Sequence, residues 1–170
     1  MKPPPIAIRA ARPADQETIV AFNLALAAET ESRALDPAAL ARGVAAALAD
    51  PDRLRYWVAE IAGRPAGQAA ISREWSDWRA GWAWWLQSVY VRPDARRLGV
   101  FKMLHERIRS EARAAPDVVG LRLYVEAENA RAQATYRALG MMPGGYHVFE
   151  ELWPERFGGP DPHPAILEGM

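Results

Sequence analysis

Residues 86–106, Leu-Gln-Ser-Val-Tyr-Val-Arg-Pro-Asp-Ala-Arg-Arg-Leu-Gly-Val-Phe-Lys-Met-Leu-His-Glu, constrain this chain more than any other stretch. They read as a strand, a tight turn and a helix in immediate succession. Leu86, Ser88 and Tyr90 alternate with Gln87, Val89 and Val91, which suits a strand covered on both faces. Pro93 ends it, because proline cannot donate to a ladder. Gly99 stands just before the helix, where a residue without a Cβ lets the backbone approach a ligand closely. The first N–H groups of a helix have no partner inside it, so this opening suits an anion such as a pyrophosphate. Arg96 and Arg97 sit beside it, and Lys102 lies one turn inside.

A second unit of the same kind lies downstream. Leu121, Leu123 and Val125 alternate with Arg122, Tyr124 and Glu126, as in a strand. Asn129 then caps a helix through Leu139, closed by Gly140 as a left-handed terminator. With both units in hand, the chain resembles the GNAT acyltransferase superfamily. Arg96-x-x-Gly99-x-Phe101 resembles that family's acetyl-CoA pyrophosphate motif, Gln/Arg-x-x-Gly-x-Gly/Ala, with Phe101 where a small residue is usual. Asn129-Ala130-Arg131-Ala132 and Tyr136-Arg137-Ala138-Leu139-Gly140-Met141 resemble its Asn-x-x-Ala and Tyr-x-x-x-Gly-Phe segments. The resemblance runs over residues 6–152.

The resemblance implies an α/β fold: a mixed, mostly antiparallel central sheet with a splayed parallel strand pair and helices on both faces. It also implies acetyl-CoA as co-substrate, lying where the two parallel strands part. The backbone of Val89, Tyr90 and Val91 would bond the pantetheine amides. The N–H groups of Arg97, Leu98, Gly99, Val100 and Phe101 would hold the pyrophosphate, with Arg96 and Lys102 adding charge. Asn129 would reach the pantetheine arm. Tyr136, two turns further on nearly the same helix face, would protonate the departing thiolate. A phenol can do so, since its ordinary pKa of about 10 exceeds the roughly 8.5 of a thiol. The implied activity is direct transfer of an acetyl group to a primary amine. A catalytically silent acyl-CoA-binding or sensor domain is the alternative.

The base that takes the amine's proton is less legible. Trp85 and Gln87 line the first of the two parallel strands, and Tyr124 holds the corresponding site on the second. Glu126 shares the face of Tyr124 and is one candidate; Glu74, at the edge of a Trp-rich passage, is the other. Trp75, Trp78, Trp82, Trp84 and Trp85 fall within that passage and the strand after it. Core packing accounts for such a cluster. The sharper reading makes Glu74, Trp75, Trp78, Trp85 and Tyr124 an acceptor pocket, because indole faces attract cationic amines by about 0.5–2 kcal/mol.

Composition narrows the field. A chain of 170 residues, half of them hydrophobic, is read as one domain over residues 1–170 with a sizeable core. Lys plus Arg total 21 and Asp plus Glu total 21, so no net field draws the chain to nucleic acid or a membrane. The absence of cysteine excludes a Cys-based acyl-enzyme, and three scattered histidines form no metal cluster. Lys2-Pro3-Pro4-Pro5 is no signal peptide and no long apolar run follows, so the expected location is cytoplasmic; a homodimer is left open.

The remaining elements follow from local signals. A strand is expected at residues 6–9, then a helix from Pro13 capped by Asp15, and a second helix from Asp36-Pro37. Strands follow at 56–62 and 66–73, the Trp-rich residues 74–81 read as a loop, and a last strand is expected at 144–152. Residues 1–5 should fray and residues 154–170 should lack regular structure.

Overall fold

Asp36 accepts the N–H groups of Ala38 and Ala39 at 3.0 and 3.2 Å with Pro37 behind it, so the cap-and-proline signal does start a helix. The computed structural model describes residues 5–30, 35–153 and 156. The expectations for residues 1–4 and nearly all of 154–170 lie outside that set. β1 (Ile6–Ala10) leads through a 3-10 turn at Pro13–Asp15 into α1 (Gln16–Thr30), and α2 (Pro37–Ala49) follows. β2 (Arg55–Ile61), β3 (Arg64–Ser76) and β4 (Gly81–Val91) run antiparallel. The crossover helix α3 (Val100–Ala114) then delivers β5 (Val118–Leu123) parallel to β4, and α4 (Ala130–Ala138) comes last.

The sheet order is β1-β2-β3-β4-β5, a mixed and mostly antiparallel sheet with one parallel pair at its end. On one face Trp57, Ala59, Ile71, Trp84 and Leu86 pack against Val100, Leu104, Ile108 and Ala112 of α3. On the other, Tyr56 and Ala70 pack against Ile19 of α1 and Val44 and Ala47 of α2. Helices thus cover both faces.

Three expectations are corrected. Asp15 is not the cap of α1. It ends the 3-10 turn, accepts the Arg12 N–H at 2.7 Å and is forked by the Arg9 guanidinium at 2.7 Å on each oxygen. That guanidinium holds the Asp15 carboxyl below its usual range, and also reaches Glu60 on β2 at 2.8 Å. Second, half of the Trp-rich residues 74–81 are strand. Glu74↔Ala83 and Trp75↔Trp82 continue the β3–β4 ladder, which leaves only residues 77–80 as turn. Third, residues 144–152 form no strand: β5 stops at Leu123, and this segment, entered through Pro143, Gly144 and Gly145, has no partner strand among the described residues. An unpaired extended segment has no ladder to hold it.

One buried group was not legible. His105 lies inside α3 at 2 % exposure, and neither ring nitrogen has a partner among the described residues. Desolvation, and after it the nearby Arg109, lowers its pKa, so the folded chain holds it neutral. The unfolded chain, with an ordinary pKa of about 6.5, therefore binds the proton more readily, and stability is lost as pH falls below about 6.5. Melting temperature should therefore climb as pH is raised towards about 6.5, and His105→Leu should flatten that climb. The Asp15 contribution is lost only at lower pH, below the ordinary carboxylate value of about 3.9, so the two effects separate.

Candidate active site

The site begins where the parallel pair comes apart. β4 and β5 are paired from Trp82↔Val118 to Leu86↔Leu123, and beyond Leu86 strand β4 pairs with β3 alone. At that point β4 bulges. Gln68 opposes Tyr90 and Ala70 opposes Gln87, so Ser88 and Val89 share the single residue Ala69. Ser88 takes a left-handed backbone, φ 51°, although it is not glycine. A bulge bends its strand and sharpens the local twist, which turns residues 89–91 away from β5. Their main-chain edge is thereby presented to a ligand that can pair as an added strand. The Tyr90 side chain takes no part in this edge: it packs on Phe22 with centroids 5.1 Å apart, and its hydroxyl donates to Glu29 at 3.2 Å.

Past Val91 the chain makes a 3-10 turn at Pro93–Ala95 and then two left-handed residues, Arg97 at φ 65° and Gly99 at φ 88°. Gly99 is the N-cap of α3 and its carbonyl accepts the first helical bond, from Met103 N at 3.0 Å. The N–H groups of Val100, Phe101 and Lys102 therefore have no partner within the helix and open beside the turn. Pro93, Arg96, Arg97 and Arg131 line an open groove of about 520 Å³ here. Arg96 is itself tied down, donating to the Val91 carbonyl at 2.9 Å and pairing with Glu29. Lys102 is exposed and 3.8 Å from Glu106. Arg97 and Arg131 are the cations left to meet an anion. Arg131 was missed in the sequence; its one clue was its place in the first turn of a helix, next to the capping Asn129.

Asn129 caps α4 by accepting the Ala132 N–H at 2.9 Å, which leaves its amide N–H groups to donate elsewhere. Tyr136 is half-buried and its ring meets Phe101 edge-on, with centroids 5.8 Å apart. Phe101, the departure from the small-residue pattern, thus does not block the turn. It packs against the core under α3 and gives the tyrosine of α4 a wall. Burial pushes the Tyr136 phenol up, so it stays protonated and able to donate.

On the sheet face across the split, Trp85 of β4 and Tyr124 just past β5 stack with centroids 4.4 Å apart at 25°. Arg122 lies 5.6 Å from the Trp85 ring. Both Glu74 oxygens are engaged, one by Trp85 Nε1 at 2.8 Å and the other by Arg122 Nη1 at 2.7 Å. Glu74 is therefore a brace for this aromatic face, whereas Glu126 lies exposed in the loop before Asn129. The Glu126 carbonyl accepts Asn129 N and Gln133 Nε2 at 3.0 and 3.2 Å, which fixes that loop. Trp75 meets Trp82 edge-on at 5.1 Å, and Trp78 is 86 % exposed in the hairpin turn. Five steps of strand take the chain from that turn's end, Gly81, to Leu86, about 17 Å at ~3.4 Å per residue, so the structure brings Trp85 and Tyr124 together but not Trp78. Among the described residues no group of His, Asp and Glu is placed to hold a metal, and no helix is long and apolar enough to cross a membrane.

Comparison with known proteins bears on the fold and the family. The family description "Acetyltransferase (GNAT) family" matches residues 20–141. A possible acetyltransferase from Clostridium difficile 630 is 42 % identical, with 87 % of this chain and 97 % of that one aligned at a TM-score of 0.82. Two more distant structures share the fold. One is a predicted acetyltransferase from Clostridium acetobutylicum with acetyl-CoA: 19 % identity, TM-score 0.70, 89 % and 98 % covered. The other is the aminoglycoside N-acetyltransferase AAC(6')-Iy in complex with CoA: 18 % identity, TM-score 0.74, 89 % and 97 % covered. Among curated proteins none matches. A mixed sheet whose parallel pair parts at a bulge, beside a helix start with unpartnered N–H groups, is an acetyltransferase-type fold. This chain belongs to the GNAT acetyltransferase family.

Proposed function

We propose that this chain transfers an acetyl group from acetyl-CoA to a primary amine by direct attack. The observation that carries the reading is the continuous track from the bulged edge of β4 to the start of α3. It offers a pantetheine the backbone of residues 89–91, and a pyrophosphate the N–H groups beside Gly99 with Arg97 and Arg131 alongside. The amine nitrogen attacks the thioester carbonyl carbon, a C–N bond forms, and the C–S bond breaks as the tetrahedral intermediate collapses. Tyr136 gives its proton to the departing thiolate, and Glu126, directly or through water, takes the proton released by the amine. Trp85 and Tyr124 supply the apolar face against which the acceptor's carbon skeleton lies. Positioning and polarisation of the thioester by N–H groups supply most of the acceleration.

The test combines calorimetric titration of acetyl-CoA with CoA release over a panel of polyamines, aminoglycosides, amino acids and peptide N-termini. Binding together with turnover on at least one amine supports the reading. Binding without turnover on any amine points instead to a silent acyl-CoA sensor. Arg131→Ala should raise the acetyl-CoA KM about fivefold, matching ~1 kcal/mol for one exposed charge-assisted contact. The difference from wild type should shrink as salt rises.

A further inference from the structure

Gln68 lies on β3 next to Ala69, the residue that Ser88 and Val89 share, and it is wholly buried at 0 % exposure. A buried amide is costly unless it is hydrogen-bonded. Its Nε2 donates to the Ser88 carbonyl at 3.2 Å and to Asn23 Oδ1 at 2.8 Å, while Asn23 Nδ2 donates to the Tyr56 hydroxyl at 3.3 Å. One polar chain therefore joins α1, β2, β3 and the bulge of β4. Gln68 Oε1 has no partner among the described residues. The reverse orientation of the amide would set that oxygen against the Ser88 carbonyl, so the donor contact fixes which way the group faces.

Ser88 needs such a hold. A residue with a Cβ in the left-handed region is strained by roughly 1–2 kcal/mol, and the strain persists only where the surroundings over-determine it. Nothing local in the sequence favours a bulge here, since Ser88 and Val89 carry neither glycine nor proline. The restraint comes from across the sheet. We propose that Gln68 is a positioning residue for the acyl-CoA site: by holding the Ser88 carbonyl it keeps β4 bulged, and so keeps the edge of residues 89–91 parted from β5. The inference rests on the acyl-CoA reading for its function, though not for its structural half. Releasing the bulge would favour a one-residue slip, which turns Val89, Tyr90 and Val91 to opposite faces. The seat of Tyr90 on Phe22 resists a full slip, so the expected result is a frayed edge.

Gln68→Met, which keeps an unbranched chain and loses the amide, tests this with two readouts: hydrogen exchange of residues 88–91 without ligand, and the acetyl-CoA Kd. Exchange there should quicken, and the Kd should rise ~10-fold, as expected if the backbone strain is no longer offset. Adding Ser88→Gly removes the strain itself, so the double variant should recover most of both. Recovery separates holding the bulge from filling the core, because a packing defect at position 68 is indifferent to residue 88. Unchanged exchange in Gln68→Met overturns the proposal whichever way binding goes, and so does a loss that Ser88→Gly fails to restore. Should Gln68→Met not fold, Gln68→Asn, too short to span Asn23 and Ser88 together, carries the same comparison. Wild-type protein that binds no acetyl-CoA instead overturns the acyl-CoA reading, and the exchange comparison still decides what Gln68 does to β4.

Discussion

Gly99→Val should abolish the rise in melting temperature that acetyl-CoA is expected to give the wild type. A ligand at 100 times its Kd stabilises the native state by about 2.7 kcal/mol, which is a shift of roughly 5–10 °C for a chain of this size. Gly99 sits at φ 88°, where a side chain is strained, and a β-branched one most. A Cβ built there meets no atom within 4 Å, so the damage is not a clash inside the fold. It comes from distorting the backbone that aims the first N–H groups of α3, and from placing methyl groups in the space an anion would occupy. The variant should also be less stable by ~1–2 kcal/mol from the strain alone, so the comparison must be of shifts with and without ligand. A full ligand-induced shift in Gly99→Val would remove the pyrophosphate from this turn.

Tyr136→Phe should lower kcat by about 10²–10⁴-fold, the scale for a lost general acid, while leaving the acetyl-CoA Kd nearly unchanged. The ring is kept, so its edge-on contact with Phe101 survives and folding should be unaffected. In the wild type, burial raises the phenol's pKa. Activity that depends on its proton should therefore persist to a pH above the ordinary tyrosine value of about 10, stability permitting. Single-turnover acetyl transfer is the deciding measurement, because slow product release can mask a chemical step in steady state. Unchanged single-turnover chemistry in Tyr136→Phe would assign the acid to another group.

What could be read from the sequence was what local chemistry encodes. Pro93, Gly99, the Asp36-Pro37 start and the Asn129 cap each act within one turn of chain, and each stands where expected. Asp15 misled because its partner, Arg9, is brought to it by the packing of β1 rather than by helix geometry. The Trp-rich residues looked like a loop because Glu74, Ser76 and Asp77 interrupt the indoles. In the fold they alternate across a hairpin whose register no single strand reveals. The bulge at Ser88 had no glycine to announce it, since its restraint comes from Gln68 across the sheet. Arg97 and Arg131, separated by 34 positions, meet only because β5 returns α4 to the start of α3. Residues 144–152 carry strand-forming Tyr146, Val148 and Phe149 after a Gly-rich turn, but propensity supplies no neighbour to pair with.

The short parallel ladder has a thermodynamic consequence. Among the described residues, the backbone of β5 pairs with the sheet only from Trp82↔Val118 to Leu86↔Leu123, with Arg122 adding one ion pair to Glu74, and α4 beyond it buries no residue fully. Such a unit should open more readily than the β2–β4 meander, as segments with few buried contacts do. Acetyl-CoA seated in the split would touch both the well-anchored β4 and the weakly anchored α4. It would then serve as missing cohesion between them, and its affinity would include the free energy of closing that sub-global opening. Ligand should accordingly slow hydrogen exchange most in β5 and α4 and least in the meander, and a variant that loosens α4 should weaken binding without touching a single ligand contact.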